Sequence, residues 1–321
     1  MKNNILAADI GGTNSRFAWF QTEGADHLQL MDMVWLPTKE ATSFPRLLEQ
    51  LRERRFPLLP EQADIVMFAV AGPVEAGVYC APPYIEWDID LRRPEISTVL
   101  KRAVMINDFV AQAYACKSSI GASARCILSG EPVSEGTIGV LGAGTALGKA
   151  ILVPLPGGGG FHALPSEGGH AYFPFLTDRE VAFQRFYRET SGEYHITANL
   201  VVSGRGLSCL HLFLTGERLA PEEVSARWLG SESETLCWAA RFYGRLCRDF
   251  ALDVLATGGL YVAGGVAARN PGILLHEAFQ KEFRDSPTLG RLLARIPVYL
   301  IDHEDSGVWG AAFLGRQILY G

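Results

Sequence analysis

Residues 5–20 read ILAADIGGTNSRFAWF, and residues 138–153 read IGVLGAGTALGKAILV. Each is an apolar run, a glycine-threonine turn and a second run that alternates, the pattern of a β-hairpin with a glycine tip. Gly12-Thr13 in the first superimposes on Gly144-Thr145 in the second, about one domain length further on. Backbone N–H groups and a hydroxyl exposed at such a tip suit a phosphate. Two tips in two halves point to a nucleotide held between two related domains. The copies differ where Asp9 in the first is matched by Leu141 in the second. A carboxylate beside a phosphate turn is what a Mg2+ ion needs, and only one copy has it. That asymmetry points to a kinase or an ATPase.

The rest of the chain fits two α/β domains. At 321 residues it is long enough for two substantial cores, and its 48% hydrophobic and 20% charged content is that of a globular protein. A net charge of −6 gives no nucleic-acid footprint. The densest basic run, Arg52-Glu53-Arg54-Arg55, contains an acid and reads as a solvated helix end. The least charged apolar stretch, Val254 to Ala268, is broken by glycine pairs and too short to span a bilayer, so no membrane partner is expected. Six cysteines without a C-x-x-C pair read as reduced core thiols of a cytoplasmic protein.

Strands are expected at 4–10, 15–21, 65–71, 103–107, 260–263 and 297–301. Helices are expected at 41–55, where Phe44, Leu47, Leu48 and Leu51 recur at helical spacing, over Ser97–Lys101, and from Phe109 to Lys117. Residues 157–160, GGGG, read as a hairpin tip, and 178–257 as mostly helical. The tail from Ser306 to Leu319 reads as a helix able to return to the first domain. The expected division is 1–117 plus 304–321 against 118–303.

Three groups of residues could carry chemistry. Asp9-Ile10-Gly11-Gly12-Thr13-Asn14 lacks G-x-G-x-x-G and precedes a strand, which argues against a Rossmann dinucleotide site. Gly144-Thr145-Ala146-Leu147-Gly148-Lys149 misses a P-loop, because Ala143 replaces its first glycine and Ala150 its Ser/Thr. Either loop alone reads equally as an ordinary turn; together with Asp9 they read as a phosphate site. A third glycine turn, Gly264-Gly265, ends a strand where an adenine or ribose could lie, or simply packs a strand on a helix. Asn107-Asp108 stands at a strand-to-helix junction. Asp108 there is either an N-cap or the base that takes a proton from an attacking hydroxyl. Ser166-Glu167-Gly168-Gly169-His170 is a surface turn or a place where Glu167 and His170 face one small polar ligand. No Cys or His spacing makes it a zinc site.

Taken together, these residues resemble the bacterial glucokinase family, within the hexokinase/actin/Hsp70 superfamily. The matching pieces are DIGGTNSR (9–16), INDFVAQAY (106–114), LGAGTALG (141–148), LPSEGGH (164–170), VVSGRGL (201–207), YVAGGVAARN (261–270) and PVYLIDHEDSGVWGAA (297–312). They fall in family order along nearly the whole chain. The zinc-binding cysteine motif of ROK-type sugar kinases is absent, which sets the chain with the non-ROK type. The resemblance implies two related actin-like (ribonuclease H-like) α/β domains flanking a nucleotide and sugar cleft. It implies ATP-dependent phosphorylation of the 6-hydroxyl of glucose with Asp108 as base, and a possible homodimer. Asn107, Asp108, Glu167, His170 and Asn199 would hold the sugar. Asp9, Gly11, Gly12, Thr13, Asn14, Gly142, Gly144, Thr145, Gly264 and Gly265 would hold the nucleotide, with Asp9 near Mg2+. Two places depart from the family pattern: Asn199 stands where it has a sugar-binding Glu, and Pro82-Pro83-Tyr84-Ile85-Glu86-Trp87 where it has Thr-Asn ahead of a Trp. Both concern the sugar, so a kinase of another hexose or of an amino- or deoxy-sugar is the second expectation. A sugar or nucleotide sensor is the third.

Overall fold

Strand β1 (Asn3–Ile10) is buried along most of its length because it has a bonded neighbour on each side and a helix against each face. The computed structural model describes residues 2–24 and 27–321. After β1 come β2 (Asn14–Thr22), β3 (Leu28–Pro37), α1 (Phe44–Glu53), β4 (Ile65–Val70), β5 (Tyr79–Cys80), β6 (Ile89–Asp90), α2 (Pro94–Ser97), β7 (Ala103–Asn107), α3 (Asp108–Ala115) and α4 (Ser119–Ala122). There follow β8 (Arg125–Leu128), β9 (Ile138–Ala143), β10 (Leu147–Pro154), β11 (Phe161–Ser166), α5 (Asp178–Ser191), α6 (Ala198–Val202), α7 (Gly204–Thr215), α8 (Pro221–Trp228) and α9 (Glu234–Asp253). The chain ends with β12 (Gly259–Ala263), α10 (Gly265–Arg269), α11 (Gly272–Leu275), α12 (Glu277–Arg284), α13 (Gly290–Leu293), β13 (Val298–Leu300) and α14 (Ser306–Tyr320).

Two units emerge. One holds Met1–Ser123, Pro154–Ala163 and His303–Gly321; the other holds Ala124–Val153 and Leu164–Asp302. The first contains a sheet of order β3-β2-β1-β4-β7, the second is built on one of order β11-β10-β9-β12-β13-β8. In the first, β1 is antiparallel to β2 and parallel to β4, and β4 is parallel to β7. In the second, β9 is antiparallel to β10 and parallel to β12, and β12 is parallel to β13. The repeat seen at the two glycine turns thus extends to four strands, β2-β1-β4-β7 matching β10-β9-β12-β13, while β8 has no counterpart in the first sheet.

Alternation along β1 sorts its side chains by face. Leu6, Ala8 and Ile10 join the cluster around Phe44, Leu47 and Leu51 of α1 and Phe68 of β4. Each buried Leu, Ile or Phe among them contributes on the order of 2 kcal/mol. Ser43 caps α1 by accepting from Arg46 N at 3.3 Å. Ile5 lies on the other face, beside Gly315 of α14. Helix α14 packs on α3 so closely that a Cβ on Gly310 would overlap the Ala111 carbonyl oxygen. The segment Pro154–Ala163 is tied to the first unit by side chains: Tyr114 donates to Phe161 O and accepts from Ala163 N, and Gln317 bonds both polar atoms of the Phe161 backbone. Within the second unit the fully buried Arg245 of α9 bridges Glu180 of α5 (2.7 and 3.1 Å) and Glu282 of α12 (2.7 Å).

The expected strands and long helices are present, with three differences. The short helix lies at Pro94–Ser97 rather than Ser97–Lys101, because Pro94 fits the first helical turn. Strands β3, β5, β6 and β8 were not anticipated: β3 is an edge with exposed Met31 and Trp35, β5 and β6 are two residues each, and β8 is only four residues long. Not every cysteine is a core thiol, since all six are free but Cys126 is exposed.

The α14–α3 contact yields a test. Gly310→Ala should lower unfolding free energy by about 2 kcal/mol or more, read as a lower midpoint in urea. An unchanged midpoint would show that α14 is not seated on α3 in this way.

Candidate active site

In the first unit the parallel register aligns Ile10, Val70 and Asn107 across β1, β4 and β7. The Gly11–Thr13 turn and Asp108 therefore leave the same carboxyl edge of the sheet, two strand spacings or about 10 Å apart. Ligands of open α/β sheets bind at such edges.

At the turn, Gly11 N donates to Asn14 O at 3.2 Å, and Thr38 N donates to Thr13 O at 3.0 Å. Among the described residues, the N–H groups of Gly12 and Thr13 have no protein acceptor. Two successive unused N–H groups make an anion-binding concavity. Asp9 pairs with Arg16 across the hairpin, and Arg16 Nη1 donates to Asp9 Oδ2 at 3.1 Å while its guanidinium lies over Trp35 at 4.0 Å. Burial raises the Asp9 pKa above the ordinary carboxylate value, with Arg16 opposing the shift. Gly307, in the first turn of α14, lies so close that an added Cβ would be 2.5 Å from Asp9 Oδ2. A helix N-terminus there favours the anion. Tyr84, expected near the sugar, has its Cβ and carbonyl against Gly12, where an added Cβ would meet them at 2.8 and 3.0 Å.

At the junction of β7 and α3 the cap is Asn107, not Asp108. Asn107 Oδ1 accepts from Phe109 N (2.9 Å) and Val110 N (3.3 Å), and Nδ2 donates to Gly72 O (3.1 Å). One Nδ2 proton remains for a ligand. Asp108 is half-buried in the first turn of α3, with Oδ1 accepting from Phe109 N at 3.0 Å. Its charge lies near Cys80, whose thiol is pushed up to about 11 by burial first and then by Asp108 and Glu75.

The second unit repeats the edge. Ala143 and Leu147 pair across the β9–β10 hairpin, and Gly144 N donates to Ala146 O at 2.9 Å. The N–H groups of Thr145 and Ala146 have no protein acceptor among the described residues. A Cβ on Gly144 would meet open space. Because β10 continues through Lys149 as strand, the turn is not a P-loop. Lys149 is buried over the Phe250 ring at 5.0 Å, and burial lowers its pKa. The Gly264 turn is brought to the same edge: Ala263 is in register with Gly142, and an added Cβ at Gly264 (φ +83°) would lie 2.7 Å from Ala143 O. Gly265 lies under the Arg269 guanidinium. Glu167 and His170 are joined by a one-turn 3-10 helix, Gly168–His170, and both are exposed, with 3.9 Å between Oε2 and Nε2. Asn199 turns inward to the backbone, Oδ1 accepting from Leu147 N at 2.7 Å. None of these partners was read from the sequence, although the position facing Asp9 across the hairpin would have pointed to Arg16.

A family model described as Glucokinase matches residues 6–318. The chain belongs to the glucokinase family. A glucokinase from Chromobacterium violaceum is 30% identical over 307 residues, which cover 92% of this chain and 84% of that protein. Among solved structures, a glucokinase from an Antarctic psychrotroph superimposes with a TM-score of 0.83 at 26% identity, covering 97% of this chain and 98% of that one. A ROK family glucokinase from Streptomyces griseus, in complex with glucose and AMPPNP, shares the fold at a TM-score of 0.57 and 18% identity, over 98% and 99% of the two chains. The architecture is thus the mixed α/β, actin-like ATPase fold of sugar kinases. Among the described residues, no helix is long and apolar enough to cross a membrane, and no group of three or more His, Cys, Asp or Glu could cage a metal.

The raised Asp9 pKa gives a signed expectation. In acid, folded and unfolded states both carry the neutral carboxyl. As pH rises above the unfolded value the unfolded carboxyl ionises first, and the folded state loses stability until its own raised pKa is passed. Asp9→Asn should therefore gain stability relative to the native protein as pH rises above the ordinary Asp value of about 4, followed by urea unfolding without Mg2+. A gap that moves the opposite way would contradict the assignment.

Proposed function

We propose that this glucokinase-family chain transfers the terminal phosphoryl group of ATP to the 6-hydroxyl of glucose, with Asp108 as general base. The observation that carries the reading is the shared edge of the first sheet, from which the Gly12-Thr13 turn and Asp108 both emerge. Phosphoryl transfer asks the protein mainly to position reactants and neutralise charge. The unused N–H groups of Gly12, Thr13 and Thr145 donate to phosphate oxygens in this scheme, and the Gly264-Gly265 turn supports the nucleoside. Asp108 accepts the proton of the attacking hydroxyl. Asn107, Glu167 and His170 orient the sugar.

Mg2+ fits the residues present. Asp9 is a mostly buried carboxylate with one oxygen on Arg16 and, among the described residues, no metal-caging group of three or more His, Cys, Asp or Glu around it, which suits an ion held by one protein ligand, phosphates and water. Asp9 would hold it, and the ion would offset phosphate charge. A cytoplasmic, homodimeric enzyme is part of the same proposal.

A kinase of another hexose, or of an amino- or deoxy-sugar, is favoured by one observation. With one Oδ1 lone pair engaged by Leu147 N, Asn199 offers a ligand its two N–H donors and a single remaining acceptor site, and no charge. ADP release across a sugar panel separates the two readings; a strong response to another hexose with none to glucose would install the second.

Asp108→Ala should lower kcat with glucose by about 10²- to 10⁴-fold while the protein stays folded by circular dichroism. Unchanged turnover would remove Asp108 as the base.

A further inference from the structure

Leu147 is the residue at which the second glycine turn becomes strand β10, and both of its backbone polar atoms are closely approached. Its N–H donates to Asn199 Oδ1 at 2.7 Å. Its carbonyl oxygen lies so near Gly169 that a Cβ there would overlap it. Gly169 belongs to the turn carrying Glu167 and His170. From that turn the chain continues through Ala171–Phe173, which is bonded to the residues preceding Asn199: Ala198 N donates to Ala171 O (2.9 Å), and Phe173 N to Ile196 O (3.1 Å). The contacts close a ring. It runs from Leu147 to Asn199, back through 198–196 to 173–171, and through Gly169 to Leu147 again. Backbone atoms make every link except the one from the Asn199 side chain.

We propose that Asn199 is a positioning residue that fixes the Gly144–Ala146 turn relative to the Glu167–His170 turn, so that neither can shift without the other. The inference deepens the proposed kinase function and rests on it, since there the first turn meets phosphates and the second meets sugar. A side chain at 199 must present an acceptor to Leu147 N; its charge and its amide protons are secondary. An aspartate therefore replaces the asparagine, whereas a leucine of similar volume does not.

The test compares Asn199→Leu and Asn199→Asp with the native protein, first by amide hydrogen exchange of the ligand-free chains. Loss of one such bond is worth roughly five- to tenfold in an opening equilibrium. Asn199→Leu should speed exchange by about that factor both at Leu147 and at Gly168–Ala171, and Asn199→Asp should restore both. KM for ATP and KM for glucose should rise together in Asn199→Leu and fall back together in Asn199→Asp. Faster exchange confined to Leu147 would overturn the proposal. So would a rise in the glucose KM alone in both variants, which is the signature of a direct sugar contact. If Asn199→Leu does not fold, Asn199→Ser, too short to reach Leu147, takes its place. If the native chain does not phosphorylate glucose, the functional reading falls while the exchange comparison still decides the ring.

Discussion

The register of β1 governs the first unit. Antiparallel pairing with β2 sets Asp9 opposite Arg16, and parallel pairing with β4 and then β7 brings Ile10 level with Asn107. A slip of one residue would turn Asp9 toward the face where Leu6, Ala8 and Ile10 pack on Phe44 and Phe68, an apolar environment no carboxylate tolerates without a partner. It would also carry the glycine turn off the row that ends at Asn107. Burial of the alternate face therefore does more than stabilise the sheet: it holds a carboxylate, a pair of unused N–H groups and the start of α3 on one edge.

The second unit keeps this plan and changes its chemistry. Leu141 stands where Asp9 does, and the residue opposite it across the hairpin is Lys149. Without a carboxylate to meet, the lysine lies over Phe250 instead. The turns differ as well: Gly11, Gly12, Thr13 and Asn14 separate the paired Ile10 and Ser15, whereas only Gly144, Thr145 and Ala146 separate Ala143 and Leu147. After the tighter turn, Leu147 N donates to Asn199 Oδ1. Divergence between the copies is thus local and has physical consequences one can follow, from the Asp9–Arg16 pair in one to turn support in the other.

Much of this was legible in the chain. The two hairpins, the helix over Phe44–Leu51 and the tail helix were readable because their apolar periodicity is strong and their turns are marked by glycine. Edge strand β3 escaped because Gln29, Asp32 and exposed Met31 and Trp35 blur its alternation. The residues of the candidate site were recognisable as types, yet their partners were not. Tyr84 lies against Gly12 and Asn199 bonds Leu147, contacts that join segments far apart in sequence. Spacing carries no record of such meetings, since tertiary packing alone makes them. Asn107 shows the same limit at short range: either member of Asn107-Asp108 can cap a helix, and only the backbone geometry at the end of β7 gives the cap to Asn107.

The account is tested most directly by a crystal structure of the chain with glucose and a non-hydrolysable ATP analogue. It predicts the glucose 6-oxygen within hydrogen-bond reach of the Asp108 carboxylate, about 2.6–3.2 Å, with phosphate oxygens on the N–H groups of Gly12 and Thr13. A 6-oxygen held elsewhere, with Asp108 turned back on α3, would contradict it.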